Sequence, residues 1–271
     1  MKAEFYKMQS LGNDYIYFDL VTKRVSKKVS KYLVDNASQI AVNICKRKFS
    51  LGGDGIVLIL PNPNYDATMI IYNSDGSRAK MCGNALRAVG YLLARLNKSH
   101  QQLVETDSGL RCVYINENSV MAQMGRAKFI PFSLDDLSDN TLTTSLKSAL
   151  RFDLISVGNT HLAVMLKDQK DVDFRLIAPL LSKNLDVNVE FFTIIDGKIC
   201  ARVYERGSGE TLSCGTGACA VVASAVKNRL IDYGKTKVRF GLGELFVEIN
   251  KDFTMLLGGE VKFVCEGWID I

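Results

Sequence analysis

The same order of short motifs occurs twice along this chain of 271 residues. Gly12-Asn13 and Gly158-Asn159 each open a mainly apolar stretch. Each is followed by a Cys-Gly pair, at Cys82 and at Cys214, and then by a hydrophobic strand that ends in glycine. Because the elements recur in the same order at similar spacing, the sequence predicts two halves of similar topology. Each half is expected to contribute one cysteine to a shared cleft.

The two cysteines also have matched surroundings. Asn73 stands nine positions before Cys82, and Glu205 stands nine positions before Cys214. In both places Cys-Gly opens an apolar stretch of helical character. A helix N-terminus can lower the pKa of a thiol, and its unpaired N–H groups can bind a carboxylate. Two such helix starts predict inversion of a stereocentre, in which one thiolate removes a proton and the other thiol protonates the opposite face.

Other uses of cysteine explain less of the pattern. Seven cysteines is an odd number, and a chain of this size can build a real core, so a disulfide framework is disfavoured. A zinc site is disfavoured because there is no Cys-x-x-Cys and only two histidines. A nucleophilic cysteine hydrolase stays open for one site, but it leaves the second Cys-Gly unexplained. Buried cysteine usually acts as a small hydrophobe, which suits Cys45, Cys112, Cys200, Cys219 and Cys265.

Composition narrows the class of protein. The apolar fraction of 47% is ordinary for a globular protein. No apolar stretch is long enough to span a bilayer, and the N-terminus lacks the apolar core of a signal peptide. Unpaired cysteines fit a reducing compartment. The net charge of +5 is spread out, and the basic run 23–31 is most typical of a solvated helix face. We therefore expect a cytoplasmic protein that binds neither nucleic acid nor membranes.

Hydrophobic periodicity predicts alternating strands and helices. Helices are predicted at 28–44, 83–96, within 172–180 and at 217–230. Strands are predicted at 5–7, 15–20, 55–60, 67–72, 102–107, 111–116, 119–125, within 154–166, and at 189–195, 198–205, 238–240, 245–249 and 253–257. Asp196-Gly197 predicts a hairpin turn.

Several motifs resemble the diaminopimelate epimerase family, and together they run through nearly the whole chain. The most specific is Glu205-Arg-Gly-Ser-Gly-Glu-Thr-Leu-Ser-Cys-Gly-Thr-Gly-Ala218. The others are Lys7-Met8 with Leu11-Gly-Asn-Asp14, Asp54-Gly55, Asn73-Ser-Asp-Gly76, Met81-Cys-Gly-Asn84, Gly158-Asn159 with His161, and Glu266-Gly267.

The resemblance implies an α/β fold of two pseudo-symmetric domains, each a curved, mostly antiparallel sheet around a central helix, with the cleft between them. The expected domains are residues 1–127, which carry Cys82, and residues 128–260, which carry Cys214. Residues 261–271 are expected to return to the first domain.

The resemblance also implies an activity and a site. Cys82 and Cys214 would be the acid–base pair that interconverts LL- and meso-diaminopimelate in lysine and peptidoglycan-precursor biosynthesis, without pyridoxal phosphate, another cofactor or a metal. The substrate would be a small molecule, and the expected assembly is a homodimer. The substrate α-carboxylate would be held by N–H groups at Gly83, Asn84, Gly215 and Thr216. The side chains expected to bind its amino and carboxylate groups are Asn13, Asn73, Asn159, Asn188 and Arg206.

Three residues of the expected site, Arg206, Glu205 and His161, have more particular expected roles. Arg206 is the natural bidentate partner of the distal carboxylate. Glu205 and His161 would hold the ammonium group or tune the thiols. The purely structural alternatives are an exposed ion pair for Arg206, a strand-end hydrogen bond for His161 and turn caps for the asparagines.

The chain departs from the family pattern without losing a catalytic or anchoring group. Ala85 stands where a glycine commonly follows Cys-Gly-Asn, and Arg78 replaces a frequent acidic residue. Thr160, Ala127 and Gly259 stand where prolines are common. Two alternatives stay open. One is a related cofactor-independent racemase or isomerase with another substrate, and the other is a non-catalytic amino-acid-binding module.

Overall fold

A computed structural model of the protein describes residues 1–22, 25–116, 119–137 and 140–271. Within these ranges the α-helices are α1 Lys27–Asp35, α2 Ala37–Ile44, α3 Gly83–Asn97, α4 Asn140–Ser145, α5 Phe174–Leu185 and α6 Gly215–Lys227. The strands of the first half are β1 Lys2–Ser10, β2 Asn13–Asp19, β3 Gly55–Leu60, β4 Ala67–Asn73, β5 Arg78–Ala79, β6 Gln101–Thr106, β7 Gly109–Asn116 and β8 Ser119–Arg126. The later strands are β9 Lys128–Ile130, β10 Arg151–Ser156, β11 Thr160–Met165, β12 Asn188–Ile195, β13 Lys198–Glu205, β14 Gly209–Thr211, β15 Gly234–Phe240, β16 Gly243–Ile249, β17 Thr254–Gly259 and β18 Lys262–Asp270.

The chain divides into two compact units. Unit 1 comprises residues 1–123 and 259–271, and unit 2 comprises residues 124–258. The C-terminal strand β18 pairs antiparallel with β1, so the end of the chain belongs to the first unit.

The sheet of unit 1 runs in the order β18, β1, β2, β3, β4, β6, β7, β8. Two neighbouring pairs in it are parallel, β2 with β3 and β4 with β6, and the others are antiparallel. A parallel pair needs a long crossover connection. Helices α1 and α2 lie in the first crossover, and α3 lies in the second.

The sheet of unit 2 repeats this plan. Its order is β9, β10, β11, β12, β13, β15, β16, β17. The third and fourth strands are again parallel, as are the fifth and sixth. Helix α5 lies in the first of these crossovers and α6 in the second. The predicted α/β fold with two similar halves is therefore confirmed.

In the described part of each unit, one helix is buried along most of its length. In α3 every residue from Gly83 to Gly90 is buried, and the helix packs on β1, β6 and β7. In α6 every residue from Gly215 to Val226 is buried, against strands that include β11 and β16. The burial of α6 follows from its sequence, because a helix that is apolar all round has no face suited to water.

The predicted helix at 28–44 is wrong in one respect, because it is two helices. Asn36 separates α1 from α2 with φ −118° and ψ 15°. Its backbone N–H and its side-chain amide both donate to the carbonyl of Tyr32. Asparagine readily forms such local bonds in competition with a continuous helix. Of the basic run, Lys27, Lys28 and Lys31 are exposed on α1, and Lys23 and Arg24 lie outside the described residues.

Two further local predictions can be compared with the structure. The helix predicted within 172–180 extends to Leu185, because its buried face continues through Ile177, Ala178 and Leu181. The Asp196-Gly197 hairpin is confirmed. Both residues have positive φ, 50° and 71°, as the tight turn between β12 and β13 requires.

Candidate functional site

Cys82 is the N-cap of α3. Its backbone is extended, with φ −143° and ψ 116°, and its carbonyl accepts the first helical hydrogen bond, from Leu86 N–H. The next N–H groups, those of Gly83 and Asn84, have no acceptor within the helix itself, as at any helix start. The half-buried thiol therefore lies beside donors that suit an anion.

Asn13 bridges Cys82 and Asp54, which lies at the end of the crossover between β2 and β3. The amide oxygen of Asn13 lies 3.5 Å from the sulfur of Cys82 and 3.3 Å from Nδ2 of Asn84. The amide nitrogen of Asn13 donates to Asp54 Oδ2 at 2.8 Å. Asn84 in turn accepts a 2.7 Å bond from the buried guanidinium of Arg87. The structure thus brings together three of the predicted site residues of this unit.

Asn73 lies at the end of β4, where the chain turns. Its side-chain amide donates to Ser77 Oγ at 3.0 Å, and its backbone N–H donates to the carbonyl of Ser77. Gly55 stands opposite Asn73 in the β3–β4 pair. A Cβ on Gly55 would lie 2.2 Å from the carbonyl oxygen of Tyr72, so only glycine fits at this position.

Cys214 is the N-cap of α6 and repeats the geometry of Cys82. Its φ is −132° and its ψ is 122°, and its carbonyl accepts from Ala218 N–H. Its sulfur accepts a hydrogen bond from Gly217 N–H at 3.4 Å and lies 3.3 Å from Thr216 Oγ1. Unlike Cys82, it is buried, with 5% exposure.

A partly buried chain of hydrogen bonds leads from Thr216 into the sheet of unit 2. Asn159 Nδ2 donates to Thr216 Oγ1 at 3.3 Å, and Asn159 Oδ1 lies 2.9 Å from His161 Nε2. The other ring nitrogen of His161 lies 2.7 Å from Glu190 Oε1. His161 and Glu190 are fully buried. The parallel pairing of β11 with β12 places these two side chains together.

Two carboxylates, Glu205 and Glu190, act on the electrostatics of Cys214. Burial raises the pKa of Cys214 well above its ordinary range, and the charges of Glu205 and Glu190 raise it further. Hydrogen bonds from Thr216 and Gly217 oppose that effect on the Cys214 pKa. Burial also raises the pKa of Glu205, although its hydrogen bonds with Thr211 and Cys214 act in the opposite direction.

Asn188 and Arg206 form a separate pair in unit 2. Asn188 Oδ1 accepts from the backbone N–H of Arg206 at 2.8 Å. The guanidinium of Arg206 is exposed and forms an ion pair of 2.7 Å with the exposed Asp186. The Arg206 side chain thus forms an exposed ion pair, which is the alternative to substrate binding that the sequence left open.

Asn73 and Glu205 occupy equivalent positions in the two units. Each is the last residue of the fifth strand of its sheet, β4 or β13. Asn73 stands opposite Gly55, the first residue of β3. Their equal spacing from the cysteines in sequence therefore corresponds to an equal place in the fold.

The sequence analysis assigned no role to two residues that lie in the hydrogen-bond networks behind the thiols, Asp54 in unit 1 and Glu190 in unit 2. A signal for Glu190 was present, because it is a lone charge within the apolar run Val189–Phe191 of β12. Glutamate is rarely buried unless it is paired. Asp54 belonged to a recognised motif, but only the folded chain shows that it binds the Asn13 amide.

Two of the departures from the family pattern have local structural partners. Ala127 donates its backbone N–H to the carbonyl of Phe253 at 3.0 Å, a bond that proline lacks the hydrogen to make. Arg78 forms an ion pair with Asp107 through two hydrogen bonds of 2.6 and 2.8 Å. Ala85 is fully buried in the first turn of α3.

Two kinds of feature are absent from the described residues. None of their helices combines the length and the apolar character needed to cross a membrane. Within the same ranges, no three or more histidine, cysteine, aspartate or glutamate side chains are grouped so that they could hold a metal ion.

A family profile and an individual relative, compared with this chain separately, point to the same family. The profile of the family described as diaminopimelate epimerase matches residues 5–130 and 154–264. The diaminopimelate epimerase of Methanococcus maripaludis strain C5 is 34% identical, over 99% of this chain and 100% of its own length.

Solved structures show the same fold at much lower sequence identity. A PhzF-family phenazine biosynthesis protein of Bacillus anthracis superposes with a TM-score of 0.76 at 16% identity, covering 100% of both chains. A hydroxyproline epimerase of Agrobacterium vitis has a TM-score of 0.70 at 16% identity, covering 99% of this chain and 92% of its own. At such identities the likeness concerns the fold.

Proposed function

This chain belongs to the diaminopimelate epimerase family and is an isomerase, and from that membership we propose that it interconverts LL- and meso-diaminopimelate through Cys82 and Cys214. This reaction would supply precursors for the synthesis of lysine and peptidoglycan. One observation carries the proposal. Both thiols cap the buried helix of their unit with the same extended backbone, and the two units share one strand order.

The proposed reaction balances with the two thiols alone. One thiolate takes the α-proton, so that a Cα–H bond breaks and an S–H bond forms. The other thiol gives its proton to the opposite face of the carbon and becomes the thiolate. Between these events the negative charge is shared with the α-carboxylate, which N–H groups at the starts of α3 and α6 would stabilise.

Substrate recognition would use the charged groups of unit 2. Arg206 can exchange Asp186 for the distal carboxylate at little cost, because an exposed ion pair contributes little stability. Asn188 already holds the backbone of Arg206. A substrate ammonium beside Glu205 would offset the charge that raises the Cys214 pKa, and so would favour the thiolate. The asparagines Asn13, Asn73 and Asn159 would complete the polar contacts.

The deciding experiment measures isotope exchange at the α-carbon. Purified protein is incubated with LL-diaminopimelate in deuterium oxide, and both meso product and α-deuterium are measured. Cys82→Ser and Cys214→Ser should each lower turnover by about 10³-fold or more while substrate still binds. Cys265→Ser, at an exposed cysteine, is the matched control and should keep full activity.

The same assay distinguishes the alternatives. Exchange with hydroxyproline but not with diaminopimelate would assign another substrate to the site. Binding of diaminopimelate without any exchange in the native protein would indicate a binding module. Near-native turnover in either serine variant would exclude the two-thiol mechanism.

A homodimer is proposed on the basis of β18. Among the described residues this strand pairs along one side only, with β1. Val264 is 52% exposed on it and Trp268 is 61% exposed. An exposed apolar edge strand is a template for pairing with another chain, and a second copy of this protein carries the matching strand.

A further inference from the structure

Asp54 accepts several hydrogen bonds, and the proposed reaction assigns no role to this carboxylate. Its Oδ2 accepts both the side-chain amide of Asn13 at 2.8 Å and the backbone N–H of Asp14 at 3.0 Å. Its Oδ1 accepts from Arg47 at 2.8 Å. The carboxylate is thus fixed at three points, directly behind a residue that contacts Cys82.

The chemistry of this contact determines which way the Asn13 amide faces. An ionised carboxylate can only accept hydrogen bonds, so Asp54 can take only the NH₂ end of the amide. The oxygen end then faces Cys82 and Asn84, at 3.5 and 3.3 Å. Asn84 Nδ2 also requires an acceptor there, because Asn84 Oδ1 is engaged by Arg87. An amide oxygen beside the sulfur accepts a hydrogen bond from the thiol and offers none to the thiolate.

The equivalent asparagine of unit 2 is held the other way. Asn159 directs its oxygen toward His161 Nε2 and its NH₂ group toward Thr216 Oγ1. Since Thr216 accepts from that NH₂ group, its own hydroxyl proton is free to be donated to the Cys214 sulfur, 3.3 Å away. The two Gly-Asn motifs therefore carry amides of opposite orientation, and the neighbour differs between them: a carboxylate in one unit and an imidazole in the other.

We propose that Asp54 is a positioning residue, which acts through the Asn13 amide to favour the protonated thiol of Cys82. The side-chain neighbours of the two cysteines then differ, with the Asn13 amide oxygen beside Cys82 and the Thr216 hydroxyl beside Cys214. In the epimerase reaction proposed above, on which this inference rests, Asp54 and Asn13 assist the direction of epimerisation in which the Cys82 thiol donates the proton.

The test measures thiol reactivity without turnover. The thiolate is the form that iodoacetamide alkylates, so the alkylation rate at one pH reports the thiolate fraction. Alkylation of each cysteine is followed at pH 7 by peptide mapping, with the exposed Cys265 as the internal reference. Asp54→Asn should raise the rate at Cys82 about three- to tenfold relative to Cys265, because the new amide no longer fixes Asn13 in one orientation.

A matched variant separates positioning from charge. Asp14 is also bound by Arg47, at 2.6 Å, and by Lys7, at 2.8 Å, but its side chain does not contact the Asn13 amide in the described structure. Asp14→Asn removes the same charge from the same cluster and should leave the Cys82 rate within about twofold of native. An equal rise in both variants would assign the effect to charge and overturn the proposal.

A double-mutant cycle tests whether Asp54 acts through Asn13. Asn13→Ala alone should raise the Cys82 rate, because the thiol loses its acceptor. Asp54→Asn added to Asn13→Ala should then change nothing further. A further rise, or an unchanged Cys82 rate in Asp54→Asn with native circular dichroism, would overturn the proposal. None of these rates depends on diaminopimelate, so failure of the proposed activity would be seen separately.

Discussion

Gly217 is limited by one neighbouring atom. A Cβ at this position would lie 2.5 Å from Oε1 of Glu190, which is itself fixed by His161. Gly217→Ala should therefore destabilise the protein by about 1–3 kcal/mol, although alanine is the better helix former. Urea unfolding measures the change. Gly241→Ala is the control, because nothing lies within 4 Å of its Cβ position, and an equal loss in both variants would contradict the packing argument.

Arg206 provides a prediction about specificity. Diaminopimelate has a distal carboxylate, whereas lysine has only an ammonium group at that end. A site built for a polar group that the substrate lacks can lose a factor of roughly 10⁴ in kcat/KM, so lysine should be a very poor substrate. Arg206→Met should lower kcat/KM for diaminopimelate by about 10²- to 10³-fold. Comparable kcat/KM values for the two substrates in the native enzyme would refute the assignment of Arg206.

Cys45 predicts a dependence of stability on alkaline pH. Burial, and secondly the charge of Asp14, raises its pKa to about 12, whereas an unfolded thiol has a pKa of about 8.5. Above about pH 8.5 the unfolded chain loses this proton first, so the stabilisation is complete below that pH and is lost as pH rises toward 12.

Urea unfolding between pH 8 and 11 measures this effect. Cys45→Ala should make the fall in unfolding free energy less steep, by up to about 1.4 kcal/mol per pH unit. Cys265→Ala, at an exposed position, should keep the native slope. Identical slopes in Cys45→Ala and the native protein would contradict the prediction.

Helix α5 begins where a side chain completes its first turn. Asp173 accepts from the backbone N–H groups of Arg175 and Leu176, at 3.0 and 3.3 Å. Asp173→Ala should cost about 1 kcal/mol of stability, and Asp173→Asn should retain most of it, because asparagine caps equally well. Thermal unfolding of the three proteins compares them. A loss in Asp173→Asn as large as that in Asp173→Ala would show that charge, and not the cap, stabilises α5.

Local chemistry accounts for which elements could be predicted. The two helices after Cys82 and Cys214 and the hairpin at Asp196-Gly197 follow from apolar pattern and turn residues, which act over a few positions. The break at Asn36 could not be read from the apolar pattern, because the spacing of Leu33, Ala37 and Ile40 continues across it. The short strands β5 and β14 carry too few residues to show an alternating pattern.

The assembly of two copies is tested by changing one exposed side chain of β18. Val264→Lys places a charge on the exposed apolar edge, which should weaken a dimer formed there. Analytical ultracentrifugation should show a dimer for the native protein and a shift toward monomer for this variant. Lys262→Ala, on the same strand, is the control and should stay dimeric. A native protein that sediments as a monomer would exclude the homodimer.

The sequence by itself determined the repeat, the family and the pair of cysteines. These depend only on the identity and order of residues such as Cys82 and Cys214. Only the tertiary structure decided how the neighbours of each thiol are oriented. Asp54 lies far from Asn13 in sequence, and Glu190 far from His161, and they meet because β2 pairs with β3 and β11 pairs with β12. Hydrogen-bond direction depends on such contacts between distant residues, and a sequence read position by position does not contain them.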